Sequence, residues 1–150
     1  MGFELYLVCS SQVTPHQKED VLLQALEQWP FIRIDQRAGD LASHALFSPP
    51  ELTDYLYGTT EEYEAVMEQN EQVAAELPTW ACQFPAVTFV HIYANCFGGI
   101  CLYSGFSCRN GEILRVEQPG AQNGHVVLLR TVGISIDDYF KPFERGYFDQ

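Results

Sequence analysis

Hydrophobic and polar positions alternate at the start of the chain. In "FELYLVC", Phe3, Leu5, Leu7 and Cys9 fall on one side and Glu4, Tyr6 and Val8 on the other, the period-two pattern of a strand with one face on a core. The period changes at "TPHQ". Thr14 supplies an N-capping hydroxyl, Pro15 has the fixed φ of a first helical position, and Gln17 completes a capping box. Leu22, Ala25, Leu26 and Trp29 then recur at helical spacing up to Pro30, and "FIRI" returns to an extended pattern. Residues 36–58 keep no period. Pro49-Pro50 interrupts them, so they read as an irregular connection with one helical turn in "PELTDYLYG".

A second helix follows. Thr59 and Glu62 form a capping-box pair, and Tyr63, Val66, Met67, Asn70, Val73, Ala74 and Leu77 trace one apolar stripe. The opposite face carries Glu61, Glu64, Glu68 and Glu71 with no basic residue four positions on. Pro78 ends or kinks this helix, and "TWACQFP" adds a turn. In "AVTFVHIYA", Val87, Phe89, His91 and Tyr93 alternate with Thr88, Val90, Ile92 and Ala94, a strand; "ICLYSGFSC" and "EILRV" are its successors, joined by the hairpin signal Asn110-Gly111. The polar stretch "EQPGAQNG" reads as a loop leading to "HVVLLRTV", and the last residues, "SIDDYFKPFERGYFDQ", as a short helix broken at Pro142. Strand–helix–strand, helix, then an antiparallel meander predicts an α+β fold within a single domain over 1–150. The expected form is a mostly antiparallel sheet with helices on one face, ferredoxin-like with a C-terminal extension.

The segment "NCFGGICLYSGFSC" concentrates Cys96, Cys101 and Cys108 with three glycines. Their spacing is not that of paired zinc ligands, and only His91 lies near, so no metal is expected. A thiol site would join Cys96 to His91, with Tyr103 lining the cleft. Such a nucleophile needs a base within hydrogen-bond reach. A hairpin explains more of the residues: Gly98 and Gly99 allow the turn, Ile100, Leu102, Phe106 and Cys108 alternate with Cys101, Tyr103 and Gly105, and Gly105 marks a bulge or a close backbone approach. His16 and His44 read as solvent-facing.

Composition narrows the function. Among 150 residues, 47% are apolar and 13% aromatic, a globular composition, with no apolar run of membrane-spanning length. An odd count of five cysteines without an export signal favours free thiols in a reducing, cytoplasmic setting over a disulfide framework. The net charge is −12, from 20 acidic against 8 basic side chains, and no Lys or Arg occurs between Arg37 and Arg109. Such a surface repels nucleic acid and anionic membrane and draws cationic partners. No nucleotide-binding, hydrolase or calcium-loop motif is present, so no cofactor is expected.

Pro85, Phe89, Tyr93, Phe97, Gly98, Gly105, Asn110 and Gly111 carry a resemblance to the C-terminal portion of YubB-like ferredoxin-like domains, over about a third of the chain. The chain departs from that family in its cysteines and in lacking an acidic residue before the turn. The resemblance implies a fold and brings no catalytic motif. In character the chain is also similar to bacterial immunity proteins against cationic nuclease toxins, which are small, α+β and strongly acidic. The expectation is therefore a non-catalytic protein that occludes a basic partner through Glu61, Glu64, Glu68 and Glu71, with Tyr55 and Tyr57 as aromatic anchors. The alternative is an enzyme or ligand-binding domain built on Cys96, His91 and Tyr103.

Overall fold

A computed structural model describes residues 3–35, 42–50, 60–97, 100–121 and 123–135. The elements are β1 (Phe3–Gln12), α1 (Pro15–Gln28), β2 (Arg33–Asp35), β3 (His44–Ser48), α2 (Thr60–Trp80), β4 (Phe89–Phe97), β5 (Ile100–Arg109), β6 (Glu112–Ala121) and α3 (Gly124–Thr131), with a 3₁₀ turn at Ala81–Gln83 after α2. Tyr55, Tyr57, Thr59 and the expected C-terminal helix lie outside the described residues.

The strands form one sheet in the order β2-β3-β1-β4-β5-β6, with every neighbouring pair antiparallel. The protein is thus an α+β fold. Its first six elements follow the β-α-β-β-α-β succession of the split βαβ motif, and β5, β6 and α3 extend it.

The alternation read in β1 has a different consequence from the one expected. Both of its faces are buried at the centre, with Leu7, Val8 and Cys9 all 1% exposed or less. Val8 joins Val21, Ala25, Trp29, Phe47, Val73, Leu77, Trp80 and Phe89 in a core under α1 and α2. Leu7 and Cys9 join Val90, Ile92, Ala94, Leu128 and Leu129 in a second core under α3. So α1 and α2 share one face, as expected, while α3 covers the other. Helices on both sides of the sheet cover the two faces of β1, while its neighbours β3 and β4 pair with its two edges. Each fully buried large apolar side chain in these cores contributes about 1.5–3 kcal/mol from surface removed from water.

Local chemistry explains the ends of the elements. The Thr14 hydroxyl accepts from the Gln17 amide at 3.1 Å, and Pro15 begins α1. Asn110 (φ 50°) and Gly111 (φ 86°) make the β5–β6 turn in the left-handed conformation that a two-residue hairpin demands. Gly105 has φ 152°, and a Cβ there would collide with the carbonyl oxygen of His91 on β4. Both features expected of that glycine occur, because the β5–β6 register also shifts between Tyr103 and Gly105.

Two stretches differ from the sequence reading, and a third is given no element there. "HALFS", inside the supposed irregular connection, is β3, and His44 is 1% exposed rather than solvent-facing. Its Nδ1 donates to the Ser10 carbonyl at 2.7 Å, while the Ser10 hydroxyl accepts from the Ala45 amide at 2.7 Å. These bonds stitch β1 to β3 where their register shifts between Cys9 and Gln12. The polar run "EQPGA" continues β6, which an edge strand tolerates because one side of its backbone needs no ladder partner. "HVVLLRT" is the helix α3, held by burial of Leu128 and Leu129.

Candidate partner-binding face

Helix α2 runs unbroken from Thr60 through Pro78 to Trp80. Its buried positions Val66, Asn70, Val73 and Leu77 are the expected stripe, with Tyr63, Met67 and Ala74 half-buried at its margins. Glu61, Glu64, Glu68 and Glu71 are all exposed on the other face. Their spacing of three, four and three residues puts successive carboxylates about one helical turn apart. None of the four makes a hydrogen bond or ion pair among the described residues.

Glu76 is different. Its Oε1 accepts from the Trp29 indole Nε1 at 2.8 Å, from Gln72 at 3.1 Å and from Gln28 at 3.4 Å. The Trp29 bond, followed by those from the glutamines, holds this carboxyl below the usual carboxylate range. Glu76 is a clip between α1 and α2, and the free acidic stripe ends before it.

At the other end of the sheet a tyrosine pair adjoins the stripe. Tyr6 and Tyr93 face each other across β1 and β4, with ring centroids 4.7 Å apart. The Tyr93 hydroxyl donates to Glu4 Oε1 at 2.9 Å. Both rings are half-buried. Burial, then the charges of Glu4 and Glu71 with the Tyr63 phenol, push the Tyr6 phenol above its ordinary value. Burial and the Glu4 hydrogen bond do the same to Tyr93. Glu71 of the stripe therefore lies within electrostatic reach of Tyr6. Sequence reasoning sought aromatic anchors in Tyr55 and Tyr57, which lie outside the described residues, and missed this pair. The one available signal was that Tyr6 and Tyr93 place a phenol within the alternating runs of two predicted strands.

Of the residues of the thiol alternative, His91 and Tyr103 lie on opposite faces of the sheet. His91 faces the α1/α2 side, stacked on Phe106 with centroids 5.4 Å apart and planes 9° apart. Tyr103 faces the α3 side and stacks on His125 at 3.6 Å. Cys96 occupies the register position opposite Cys101 on β5. Cys101 is disulfide-bonded, which corrects the expectation of free thiols throughout. Gly98 and Gly99, expected to make the turn, lie outside the described residues.

Cys9 and Cys108 are buried and reduced, and Cys82 is exposed. Burial pushes the Cys9 thiol up, and burial with neighbouring Cys82 pushes Cys108 up to about 12. An activated thiol requires the opposite shift. Burial also lowers His91 and His125 to about 4, so both rings are neutral near pH 7. Among the described residues no three His, Cys, Asp or Glu side chains gather as metal ligands, and no helix is long and apolar enough to cross a membrane. Comparison with protein-family models, with curated proteins and with solved structures returns no match.

Proposed function

We propose that this chain is a non-catalytic binding protein that holds a basic protein and occludes it, in the manner of an immunity or inhibitor protein covering the active site of a cationic nuclease toxin. One observation carries the reading: Glu61, Glu64, Glu68 and Glu71 stand exposed on one helical face, with no hydrogen-bond or ion-pair partner among the described residues. Native surfaces normally intersperse the two signs of charge. An unbalanced stripe at i, i+3 and i, i+4 spacing costs the helix stability and offers a matching basic surface several simultaneous contacts.

The tyrosine pair completes the face. A lysine or arginine of the partner would seat against Tyr6 and Tyr93 between the Glu4 and Glu71 carboxylates, where ring quadrupoles and formal charges both favour a cation. The mechanism is electrostatic steering followed by steric cover, so association is fast and falls with ionic strength. No observation favours the thiol-enzyme alternative.

The test is capture at low salt from the source cells, with elution on a salt gradient. The unaltered chain is expected to retain a stoichiometric basic protein. The triple variant Glu64→Gln, Glu68→Gln, Glu71→Gln should release it at lower salt or fail to hold it. Retention of no basic protein, with expression of candidate partners confirmed, overturns the reading, as does a partner held equally by both forms.

A further inference from the structure

The remaining unexplained surface is the outer edge of the sheet. β6 is the last strand in the order, ten residues long, and no strand pairs with its outer side among the described residues. Natural edge strands of this length are protected by lysines, inward charges or brevity. Instead, Ile113, Leu114 and Val116 are 49%, 46% and 55% exposed. They make up half of the large exposed hydrophobics among the described residues, and Leu102 on neighbouring β5 adds a fourth at 38%. Against pairing stand Pro119 near the far end and two register shifts relative to β5, and the charges of the strand are Glu112, Arg115 and Glu117.

We propose that β6 is a homodimerisation edge, pairing antiparallel with β6 of a second copy about a two-fold axis at Val116. The sequence of the strand selects this occupant and this register. With Val116 opposite itself, Arg115 stands opposite Glu117 of the partner subunit, and Glu117 opposite Arg115 of the partner subunit. The charges of "LRVEQ" are therefore complementary to themselves only when the strands run antiparallel about that residue. Within one chain Arg115 Nε already donates to Glu117 Oε1 at 2.7 Å on a shared face, with the arginine side chain 54% exposed and able to reach outward.

The apolar row of the sheet also continues across the proposed axis. His91 stacks on Phe106, and Phe106 pairs with Val116. A two-fold at Val116 sets that side chain against Val116 of the partner subunit, covering the end of a row that otherwise meets water. Backbone hydrogen bonds along the edge supply the direction, the valine pair the apolar contact and the Arg–Glu pairs the register. This contact is independent of the acidic face of α2.

Sedimentation velocity over a concentration series tests it. The unaltered chain is expected to sediment as a dimer that dissociates on dilution. Val116→Lys places two like charges on the axis, and Arg115→Glu places carboxylates opposite carboxylates; each should weaken self-association by about tenfold or more. The double variant Arg115→Glu, Glu117→Arg restores complementarity and should recover the dimer. Circular dichroism confirms that each variant is folded. A chain that is monomeric at all concentrations overturns the proposal, leaving the edge to another protein's strand or to residues 136–150. So does a dimer indifferent to Val116→Lys and Arg115→Glu, or a charge exchange that fails to restore what the single reversal removed.

Discussion

Replacing Glu64, Glu68 and Glu71 by glutamine should make this protein more stable. The side chains are exposed and make no hydrogen bond or ion pair among the described residues, so the substitutions remove charge while keeping length and helix propensity. Three like-charge neighbours disappear: Glu61–Glu64, Glu64–Glu68 and Glu68–Glu71. At about 0.2–0.5 kcal/mol each, their repulsion amounts to about 1 kcal/mol. Glu61 stays in the first turn of α2, where the helix N-terminus favours it, and Glu64 lies beyond that turn, so little macrodipole energy is lost. For a chain of this length about 1 kcal/mol corresponds to a rise of about 2–4 °C in Tm.

Thermal melts followed by circular dichroism at two ionic strengths isolate the effect. At about 0.01 M salt the screening length is about 30 Å, far beyond the 5–6 Å between neighbouring positions; at about 1 M it is about 3 Å. The gain should therefore appear at low salt and shrink at high salt. A variant less stable than the parent at low salt would refute the reasoning, because it would mean that these carboxylates have stabilising partners. Paired with the capture experiment, a stability gain with loss of partner would identify the stripe as a feature retained for binding at the expense of the fold.

Two further outcomes follow from the interior. Gly105→Ala should cost about 3 kcal/mol or more in urea unfolding, since it combines backbone strain at φ 152° with a collision against the His91 carbonyl; a loss under about 1 kcal/mol would mean that the β4–β5 approach is not tight. His91 is buried and lowered from 6.5 to about 4. The unfolded chain binds that proton first, so stability holds above about pH 6.5 and is lost between there and pH 4, by up to about 3 kcal/mol. His91→Phe should flatten that part of the pH–stability curve, and an unchanged slope would locate the acid sensitivity in other groups.

Local signals were readable wherever neighbours in sequence settle the geometry. Thr14-Pro15 begins a helix, Asn110-Gly111 turns a hairpin, and the stripe from Val66 to Leu77 finds the core. The misread segments are those decided by distant contacts. "HALFS" shows little alternation because β3 is nearly all buried, and its flanking breakers made it look like loop. "HVVLLRT" has no element assigned in the sequence reading, being rich in β-branched valine and without a side-chain N-cap; its helix is set by Leu128 and Leu129 packing on the sheet. Glu76 looked like one more solvated carboxylate because its partner, Trp29, lies 47 residues earlier. The acidic stripe was visible from spacing alone, whereas the Tyr6–Tyr93 pair needed the register of β1 against β4.

The bond from Trp29 to Glu76 has a geometric consequence for everything outside it. Trp29 is fully buried and wedged against Phe47 and Trp80, so its indole N–H points in a fixed direction. By gripping one side chain near the end of α2, it adds a directional bond to the buried stripe of Val66, Val73 and Leu77 that fixes the roll of that helix. The compass bearing of the acidic face is thus held from inside, by uncharged residues that no partner can touch. Surface glutamates can drift among positions along the stripe and still aim the same way.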